Sequence, residues 1–235
     1  MALMKQLPLD IGLSVGPTFN SFFPGSNQLV LEHLLLWIGA TERQSYRSPV
    51  PTYLWGQNAS GKTHLLKALQ EALRERGGIV GWLDPTVLEA PEFNPEWAAV
   101  LMDDVHLYTP IQQQFAFNWF VNAVSTDVGI ARPVVATGDF PPADLVLRDD
   151  LRSRLGWGHV FKLEILTEQE RRSVLRQQAD SRGVFLRDDV MDYLLGRFSR
   201  DLGSLMELLD QIDRFALQTQ RGITIPMIKA MLDQS

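Results

Sequence analysis

GQNASGKTHL, residues 56–65, fits the phosphate-loop pattern G-x-x-x-x-G-K-[ST]. An apolar segment, TYLW, precedes it and an amphipathic segment, KTHLLKALQEALRER, follows it, so the loop has the strand–loop–helix context that phosphate binding requires. Chance alone would produce the pattern in roughly one chain of this length per hundred. The alternative is a glycine-rich turn before an ordinary helix, but such a turn has no need of Lys62 and Thr63.

The composition of this loop assigns a role to each part of it. Gly56 and Gly61 allow the backbone to wrap, so that amides over residues 58–63 point at phosphate oxygens. Lys62 is predicted to meet the β/γ-phosphates of ADP or ATP, and Thr63 to hold Mg²⁺. The predicted nucleotide-binding residues of the loop are Gly56, Asn58, Ala59, Ser60, Gly61, Lys62 and Thr63.

Two adjacent acids follow the buried-type apolar run AAVLM. A strand there would deliver Asp103 and Asp104 at its carboxyl end, where ligands of parallel sheets bind. Asp103 is predicted to complete the Mg²⁺ shell with Thr63, and Asp104 to orient or activate the attacking water. A plain Asp-Asp helix cap or turn is the structural alternative.

The chain alternates apolar and helical segments from Pro51 to about Lys162, which predicts an α/β unit with a parallel sheet covered on both faces. Only helical patterns follow, beginning with a capping box at Thr167 and Glu170. Residues 12–26 are rich in Gly, Pro and Ser and predict a loose segment. The predicted division is an extended arm at 1–17, a nucleotide-binding α/β subdomain at 18–165 and a helical lid at 166–235. The predicted helices are 28–38, 62–76, 111–124, one following Thr167, 188–198, 201–220 and 225–233.

Composition restricts the class of protein. The 235-residue chain has a net charge of −6, which argues against strong direct DNA binding. It has no cysteine, so disulfides and cysteine-ligated metals are excluded, and its four histidines lack ligand spacing. No run is long and apolar enough for a membrane span, so a cytoplasmic protein with no membrane partner is expected.

Three further blocks, TFNSFFPGSNQLV, VVATGDFPP and LRSRLGWGHV, complete a resemblance. In order and spacing, the blocks resemble the AAA+ domain of the bacterial replication initiator DnaA from Thr18 to nearly the end of the chain. The resemblance implies an AAA+ P-loop domain with a parallel sheet, followed by a small all-helical lid. It also implies a relative that lacks DnaA's helix-turn-helix and N-terminal oligomerisation domains.

The segment KQLPLDI resembles the hexapeptide by which replication proteins bind the sliding clamp, the β subunit of DNA polymerase III. Pro8 favours an extended backbone, which would present alternate side chains to a groove. The residues that would bind the clamp are Gln6, Leu7, Leu9 and Ile11. An N-terminal strand packed on the protein's own core is the alternative.

The resemblance also implies catalytic roles. Asp139, in VVATGDFPP, would lie near the γ-phosphate and the catalytic water. Arg154, in LRSRLGWG, occupies the position of an arginine finger that reaches a neighbour's nucleotide. DnaA has a further arginine where this chain has Asp150. Solvated surface residues are the alternative for Arg154 and Arg152, and a plain Asp-Phe-Pro-Pro turn is the alternative for Asp139.

Two positions modify this expectation. The sensor-2 arginine of the family aligns with Gly203, so intrinsic ATP hydrolysis is expected to be weak, unless Arg200 substitutes. Phe22 and Phe23 lie where the family packs against adenine, although a core role fits them equally.

These implications favour a regulator of replication initiation that binds nucleotide and the DNA-loaded clamp and stimulates hydrolysis of DnaA-bound ATP, which prevents re-initiation. Such a protein would associate with the nucleoid, and a homodimer or higher oligomer is compatible with it. One alternative is a helicase-loader-like AAA+ ATPase that remodels a DNA-bound partner. A small-molecule phosphotransferase would explain the phosphate loop but neither the lid nor the arm.

Overall fold

The computed structural model describes residues 16–40, 50–125, 131–198 and 202–233. Within these ranges it contains a five-stranded parallel sheet with the order β2-β3-β4-β1-β5. The parallel sheet predicted from the sequence is therefore confirmed. The strands are β1 (Thr52–Trp55), β2 (Ile79–Leu83), β3 (Trp97–Met102), β4 (Val134–Gly138) and β5 (His159–Lys162).

Eight α-helices accompany the sheet in the described residues. They are α1 (Gln28–Ala40), α2 (Lys62–Arg74), α3 (Pro110–Val124), α4 (Asp149–Leu155), α5 (Glu168–Ser181), α6 (Asp188–Arg197), α7 (Leu202–Thr219) and α8 (Ile225–Leu232). Where the sequence predicted helix bounds, each lies within two residues of the observed one. Among the described helices, none is long and apolar enough to cross a membrane.

The strands are apolar on both faces because helices cover both. Tyr53 and Val100 belong to the core on the α3 and α4 side of the sheet. Their strand neighbours Leu54 and Leu101 belong to the core on the α1 and α2 side. This alternation of successive side chains explains why an inner strand such as β3 is a continuous apolar run rather than a pattern of period two.

The four helices α5 to α8 form a separate helical lid with its own apolar core. The capping box at its start forms as predicted, since the Glu170 amide donates to the Thr167 hydroxyl and the Thr167 amide donates to the Glu170 carboxylate. Asn27 fixes the chain between β5 and the lid, because its side-chain amide both donates to the Glu164 carbonyl and accepts from the Glu164 amide.

The N-terminal segment differs from the expectation of a loose stretch over residues 12–26. Thr18 and Ser21 close a turn through backbone and hydroxyl hydrogen bonds. Phe19 and Phe22 pack against the core on the α1 and α2 side. Their apolar surface outweighs the turn-rich composition around them. The predicted clamp-binding residues, Gln6, Leu7, Leu9 and Ile11, lie outside the described residues.

Candidate nucleotide-binding site

The phosphate loop follows β1, the strand that lies between β4 and β5 in the sheet. The strand order changes direction at β1, and ligands of open parallel sheets bind at such a switch point. Gly61 has a φ of +96°, and a Cβ there would lie 2.8 Å from the Phe22 ring, so backbone and packing both require glycine. A Cβ on Gly56 would lie 2.3 Å from the Leu163 carbonyl oxygen. The two motif glycines are therefore required by the fold as well as by a phosphate.

Lys62 points into the loop and is only 5% exposed. Its ammonium group donates to the Gly56 carbonyl at 2.9 Å, to the Gln57 carbonyl at 3.3 Å and to Asp139 Oδ1 at 2.8 Å. A buried ammonium needs such a shell because desolvation of an unpaired charge is costly. Lys62, which the phosphate-loop motif assigns to the site, and Asp139, which the resemblance assigns to it, are thus in direct contact.

The sequence predicted that the amides of residues 58–63 point at phosphate oxygens, but not all of them point out of the loop. The Ala59 amide donates to the Asn58 side chain at 2.8 Å, and the Ser60 amide to the Gln57 carbonyl at 3.2 Å. The amides of Lys62 and Thr63 begin α2 and have no intrahelical acceptor. These two amides, at the positive end of the helix dipole, suit an anion.

Ser60 adds an independent sign of a polar ligand. Its hydroxyl is buried and has no hydrogen-bond partner within the described ranges. A buried orphan hydroxyl in a loop next to a buried ammonium calls for an explanation, because nearly all buried polar groups are paired. A phosphate oxygen would satisfy it, so the loop fits the nucleotide that the motif predicts.

The two acids after β3 are held by one residue of β4. The Thr137 hydroxyl donates to Asp103 Oδ1 at 2.6 Å and accepts from the Asp104 amide at 2.9 Å. Asp103 is buried, whereas Asp104 is half-buried and has a φ of +49°. The sequence alone predicted the acids at this edge but not Thr137, since nothing in the chain order shows which residue of β4 lies beside them.

Asp104 has an unfavourable environment for a carboxylate. Burial raises its pKa above the ordinary 3.8, the negative charge of Asp103 raises it further, and Lys62 and His106 only partly oppose the shift. A folded-state pKa above the unfolded one means that ionisation costs stability, fully so above the raised pKa. The fold therefore tolerates a destabilising charge at this position, as functional sites often do.

Asp104→Asn is accordingly expected to raise the Tm at pH 7, because it removes the charge and keeps the shape of the side chain. The difference from the unsubstituted protein is expected to shrink as the pH falls from 7 through the raised folded-state pKa, and to disappear below the unfolded value of 3.8, where Asp104 is neutral in both states. Thermal unfolding followed by circular dichroism across this range measures it. A lower Tm for the variant at pH 7 would show that the Asp104 carboxylate stabilises the fold.

His106 joins the site although its spacing in the sequence gave no sign of it. Its Nε2 lies 3.4 Å from Asp139 Oδ2, and ligand atoms of Asp104, His106 and Asp139 all lie within 4.8 Å of one another. The turn of residues 105–107 directly after Asp104 brings the histidine back to the carboxyl edge of the sheet. Only its position two residues after the acids was available as a signal.

Tyr53 supports the segment that carries Asp139. Its buried hydroxyl donates to the Phe140 carbonyl at 2.8 Å, and a Cβ on Gly138 would lie 2.2 Å from that hydroxyl oxygen. Burial raises the pKa of Tyr53, so it remains a neutral donor. Gly138, the glycine of VVATG, is thus required by the Tyr53 side chain on the neighbouring strand β1.

Thr63 and Asp103 offer the hydroxyl and carboxylate oxygens that Mg²⁺ prefers. Thr63 stands in the first turn of α2, next to Lys62, and Asp103 follows β3. Thr137 occupies only one carboxylate oxygen of Asp103. The donor set therefore fits the predicted metal.

Phe22 lies against the phosphate loop, with its ring on Gly61 and 5.5 Å from the His64 ring. His64 in turn lies 3.0 Å from the Thr18 carbonyl and so ties the N-terminal segment to α2. Phe23 is half-buried. Phe22 serves the core, and contact of either ring with adenine stays a prediction.

Arg154 lies on α4, and its guanidinium stacks on two aromatic rings of α3, 5.2 Å from the centre of Phe117 and 5.9 Å from that of Phe120. Its neighbours are neutralised by carboxylates, since Arg152 pairs with Asp149 and Arg148 with Asp150, each at 2.7 Å. Within the described part of the chain, Arg154 has no such ion pair. Its aromatic contacts face α3 rather than the phosphate loop.

The lid contributes Gly203, which is exposed in the first turn of α7. A glycine has no side chain to reach a phosphate. The lack of a sensor-2 arginine depends on the alignment of Gly203 with that arginine of the family, and it stays a prediction. Arg200 lies outside the described residues. The group at the sheet edge is thus Lys62, Asp103, Asp104, His106 and Asp139, with Arg154 apart from it.

Comparison with known proteins agrees with this architecture. Residues 168–232 match the family model described as "Hda, lid domain". Domain III of the replication initiation protein DnaA from Thermotoga maritima is similar in structure, with a TM-score of 0.71 and 21% identity over 98% of each chain.

Two further solved structures share the fold. AMPPCP-bound DnaA from Aquifex aeolicus has a TM-score of 0.65 and 21% identity, covering 86% of this chain and 66% of that one. The Thermotoga maritima RuvB Holliday junction branch migration motor has a TM-score of 0.58 and 16% identity, covering 88% and 68%. The fold of this chain is thus shared with domain III of DnaA, and its residues 168–232 match the lid domain of the Hda family.

Proposed function

We propose that the chain is a regulator of replication initiation that stimulates hydrolysis of ATP bound to DnaA, with Arg154 acting as an arginine finger in trans, and so prevents re-initiation. The observation that carries the proposal is the environment of the Arg154 guanidinium group. Its guanidinium is half-buried and oriented by Phe117 and Phe120, yet no carboxylate of the described residues neutralises it. An oriented and uncompensated guanidinium is suited to the charge that develops on a transferred phosphoryl group.

The surface around Arg154 supports contact with another protein. Trp157, whose amide donates to the Arg154 carbonyl, is 68% exposed. A groove of about 460 Å³ lies beside it, lined by Pro142, Arg152 and Val160 among others. An exposed tryptophan beside a charged group is typical of interface anchors. A neighbouring AAA+ chain that carries ATP would be the partner, and in this proposal it is DnaA.

The chain's own nucleotide, ADP or ATP, would be held by the phosphate loop. Lys62 would exchange its contact with Asp139 for phosphate oxygens, and Ser60 and the first amides of α2 would complete the shell. Mg²⁺ held by Thr63 and Asp103 would neutralise phosphate charge. Gly203 in place of a sensor-2 arginine favours retention of this nucleotide over fast turnover.

The arm would bring the regulator to its target. Gln6, Leu7, Leu9 and Ile11 would bind the sliding clamp on DNA, and a short peptide of this kind binds weakly on its own. Tethering raises the effective concentration of Arg154 near DnaA on the same DNA. This restricts stimulation to DNA that carries a loaded clamp.

A second function is favoured by a specific observation, the completeness of the chain's own site. Lys62 and Thr63 begin α2, and Asp103 and Asp104 follow β3, which supports the set of residues that a helicase-loader-like AAA+ ATPase would need for its own hydrolysis. In that case ATP turnover would remodel a DNA-bound partner, and Arg154 would serve a neighbouring copy.

Steady-state ATP turnover separates the two functions. The purified chain alone is expected to hydrolyse ATP near background, whereas adding it to ATP-loaded DnaA and DNA-loaded clamp is expected to convert the DnaA-bound nucleotide to ADP. The Asp104→Asn variant should leave the low turnover of the isolated chain almost unchanged. Rapid turnover by the isolated chain, lost in Asp104→Asn, would overturn the regulator and establish the loader-like ATPase.

A further inference from the structure

Thr137 occupies the centre of the sheet at the edge that carries the site. It lies on β4, between β3 and β1, and is 0% exposed. Met102 of β3 pairs with Ala136 of β4, so the next residue along β3, Asp103, lies beside Thr137. The register of two strands that are distant in sequence thus places one hydroxyl next to the acids.

This hydroxyl is hydrogen-bonded to both acids. Its single proton goes to Asp103 Oδ1 at 2.6 Å, a length typical of an O–H donor on a carboxylate. Its oxygen accepts the Asp104 amide at 2.9 Å. Threonine therefore links the side chain of one acid to the backbone of the other.

Each bond has a consequence for the site. The first orients the Asp103 carboxylate and leaves its second oxygen free for a metal. The second holds Asp104 in the left-handed conformation at φ +49°, which non-glycine residues adopt at a cost. Without the hydroxyl, the Asp104 amide would lose its acceptor and the backbone would lose the restraint that keeps this conformation.

The immediate neighbours of Thr137 show that the strand itself does not need a hydroxyl. Val135 and Ala136 precede it on β4 and are buried and apolar. Burying a hydroxyl costs free energy unless it is hydrogen-bonded, and valine has the same shape. A purely structural position in this strand would be filled as well or better by valine.

We propose that Thr137 is a positioning residue that sets Asp103 for the metal and Asp104 for the attacking water through one shared hydroxyl. This rests on the proposed function, because it assumes that the site binds a nucleotide with Mg²⁺. Thr137 itself touches neither ligand and acts through the acids. It couples the geometry of the metal site to that of the water site, so one substitution should disturb both.

The test compares Thr137→Val with Thr137→Ser and with a matched control, Thr52→Val. Thr52 is also a buried strand threonine, 3% exposed, but it lies at the amino end of β1 and bonds to His33 Nε2 at 3.0 Å. Affinity for a fluorescent ADP is measured in EDTA and then along a Mg²⁺ titration. Thermal unfolding checks that each variant is folded.

Thr137→Val is expected to bind ADP in EDTA as the unsubstituted protein does, but to need about tenfold more Mg²⁺ or higher for the half-maximal effect, given the cost of leaving hydrogen-bonding groups unpaired. Thr137→Ser and Thr52→Val should stay within about twofold of the unsubstituted protein, since the first keeps the hydroxyl and the second lies away from the metal. Adding Thr137→Val to Asp103→Asn should cause no further loss, because Thr137 acts on the metal through Asp103.

An unchanged Mg²⁺ titration in folded Thr137→Val, with the unsubstituted protein still responding to Mg²⁺, would reject this inference alone. Failure of the unsubstituted protein to bind ADP would instead reject the proposed nucleotide site, and Thr137's role with it. Thr137→Ala provides a second variant without the hydroxyl if the valine variant does not fold. Unfolding of both would also contradict the proposal, because the hydroxyl would then serve the stability of the sheet.

Discussion

Arg154→Ala is expected to abolish the stimulation of DnaA-bound ATP hydrolysis, with a fall of about 10³- to 10⁵-fold in the stimulated rate. A guanidinium inserted beside the transferred phosphoryl group stabilises charge that develops only in the transition state, so its removal lowers the rate far more than the affinity. Single-turnover hydrolysis of labelled ATP bound to DnaA measures this, with DNA-loaded clamp present and the variant in excess.

Arg152→Ala is the matched control. It removes the same side chain from the same helix, but Arg152 is paired with Asp149 and lines the neighbouring groove. It is expected to change stimulation by no more than about threefold, the range of a surface ion pair. Equal losses in Arg152→Ala and Arg154→Ala would mean that α4 contributes general surface charge rather than one catalytic guanidinium.

Lys62→Ala is expected to weaken nucleotide binding by about a hundredfold or more, because charge-assisted hydrogen bonds to phosphate oxygens disappear. Isothermal titration with ADP in Mg²⁺ measures the loss. Lys67→Ala provides the control, since Lys67 is an exposed residue of the same helix, α2. It should bind ADP with nearly unchanged affinity.

The same substitution also removes the partner of a partly buried carboxylate. Of the two basic side chains that contact Asp139 in the described residues, His106 alone would remain, with its Nε2 3.4 Å from Oδ2. Breaking such a pair from one side destabilises a fold because the remaining charge is uncompensated, so Tm is measured alongside binding. Tight ADP binding by folded Lys62→Ala would contradict the assignment of the phosphate site.

The sequence predicted the helices and most strands well because their signals are local. The apolar run TYLW, residues 52–55, and the capping box at Thr167 are each patterns of only a few consecutive residues, and the structure reproduces both. The short α4 and the packed segment at Thr18–Ser21 were missed. In the second case the segment is fixed by contact with His64 and the core, which composition does not reveal.

The candidate site was predictable only where one short motif carries it. Lys62 came from the phosphate loop, but its partner Asp139 is 77 residues away and was assigned by resemblance alone. Thr137, His106 and Tyr53 carried no local signal, since their roles depend on strand register and on turns at the sheet edge. Sheet order has to be known before such residues can be assigned.

The central claim is that a clamp-tethered chain supplies Arg154 to the nucleotide of DnaA. Its most direct test follows labelled ATP on DnaA in the presence of DNA-loaded clamp and compares the intact chain, a variant lacking residues 1–12, and Arg154→Ala. The account predicts rapid conversion to ADP with the intact chain and loss of stimulation in both variants. No stimulation by the intact chain, or full stimulation by Arg154→Ala, would contradict it.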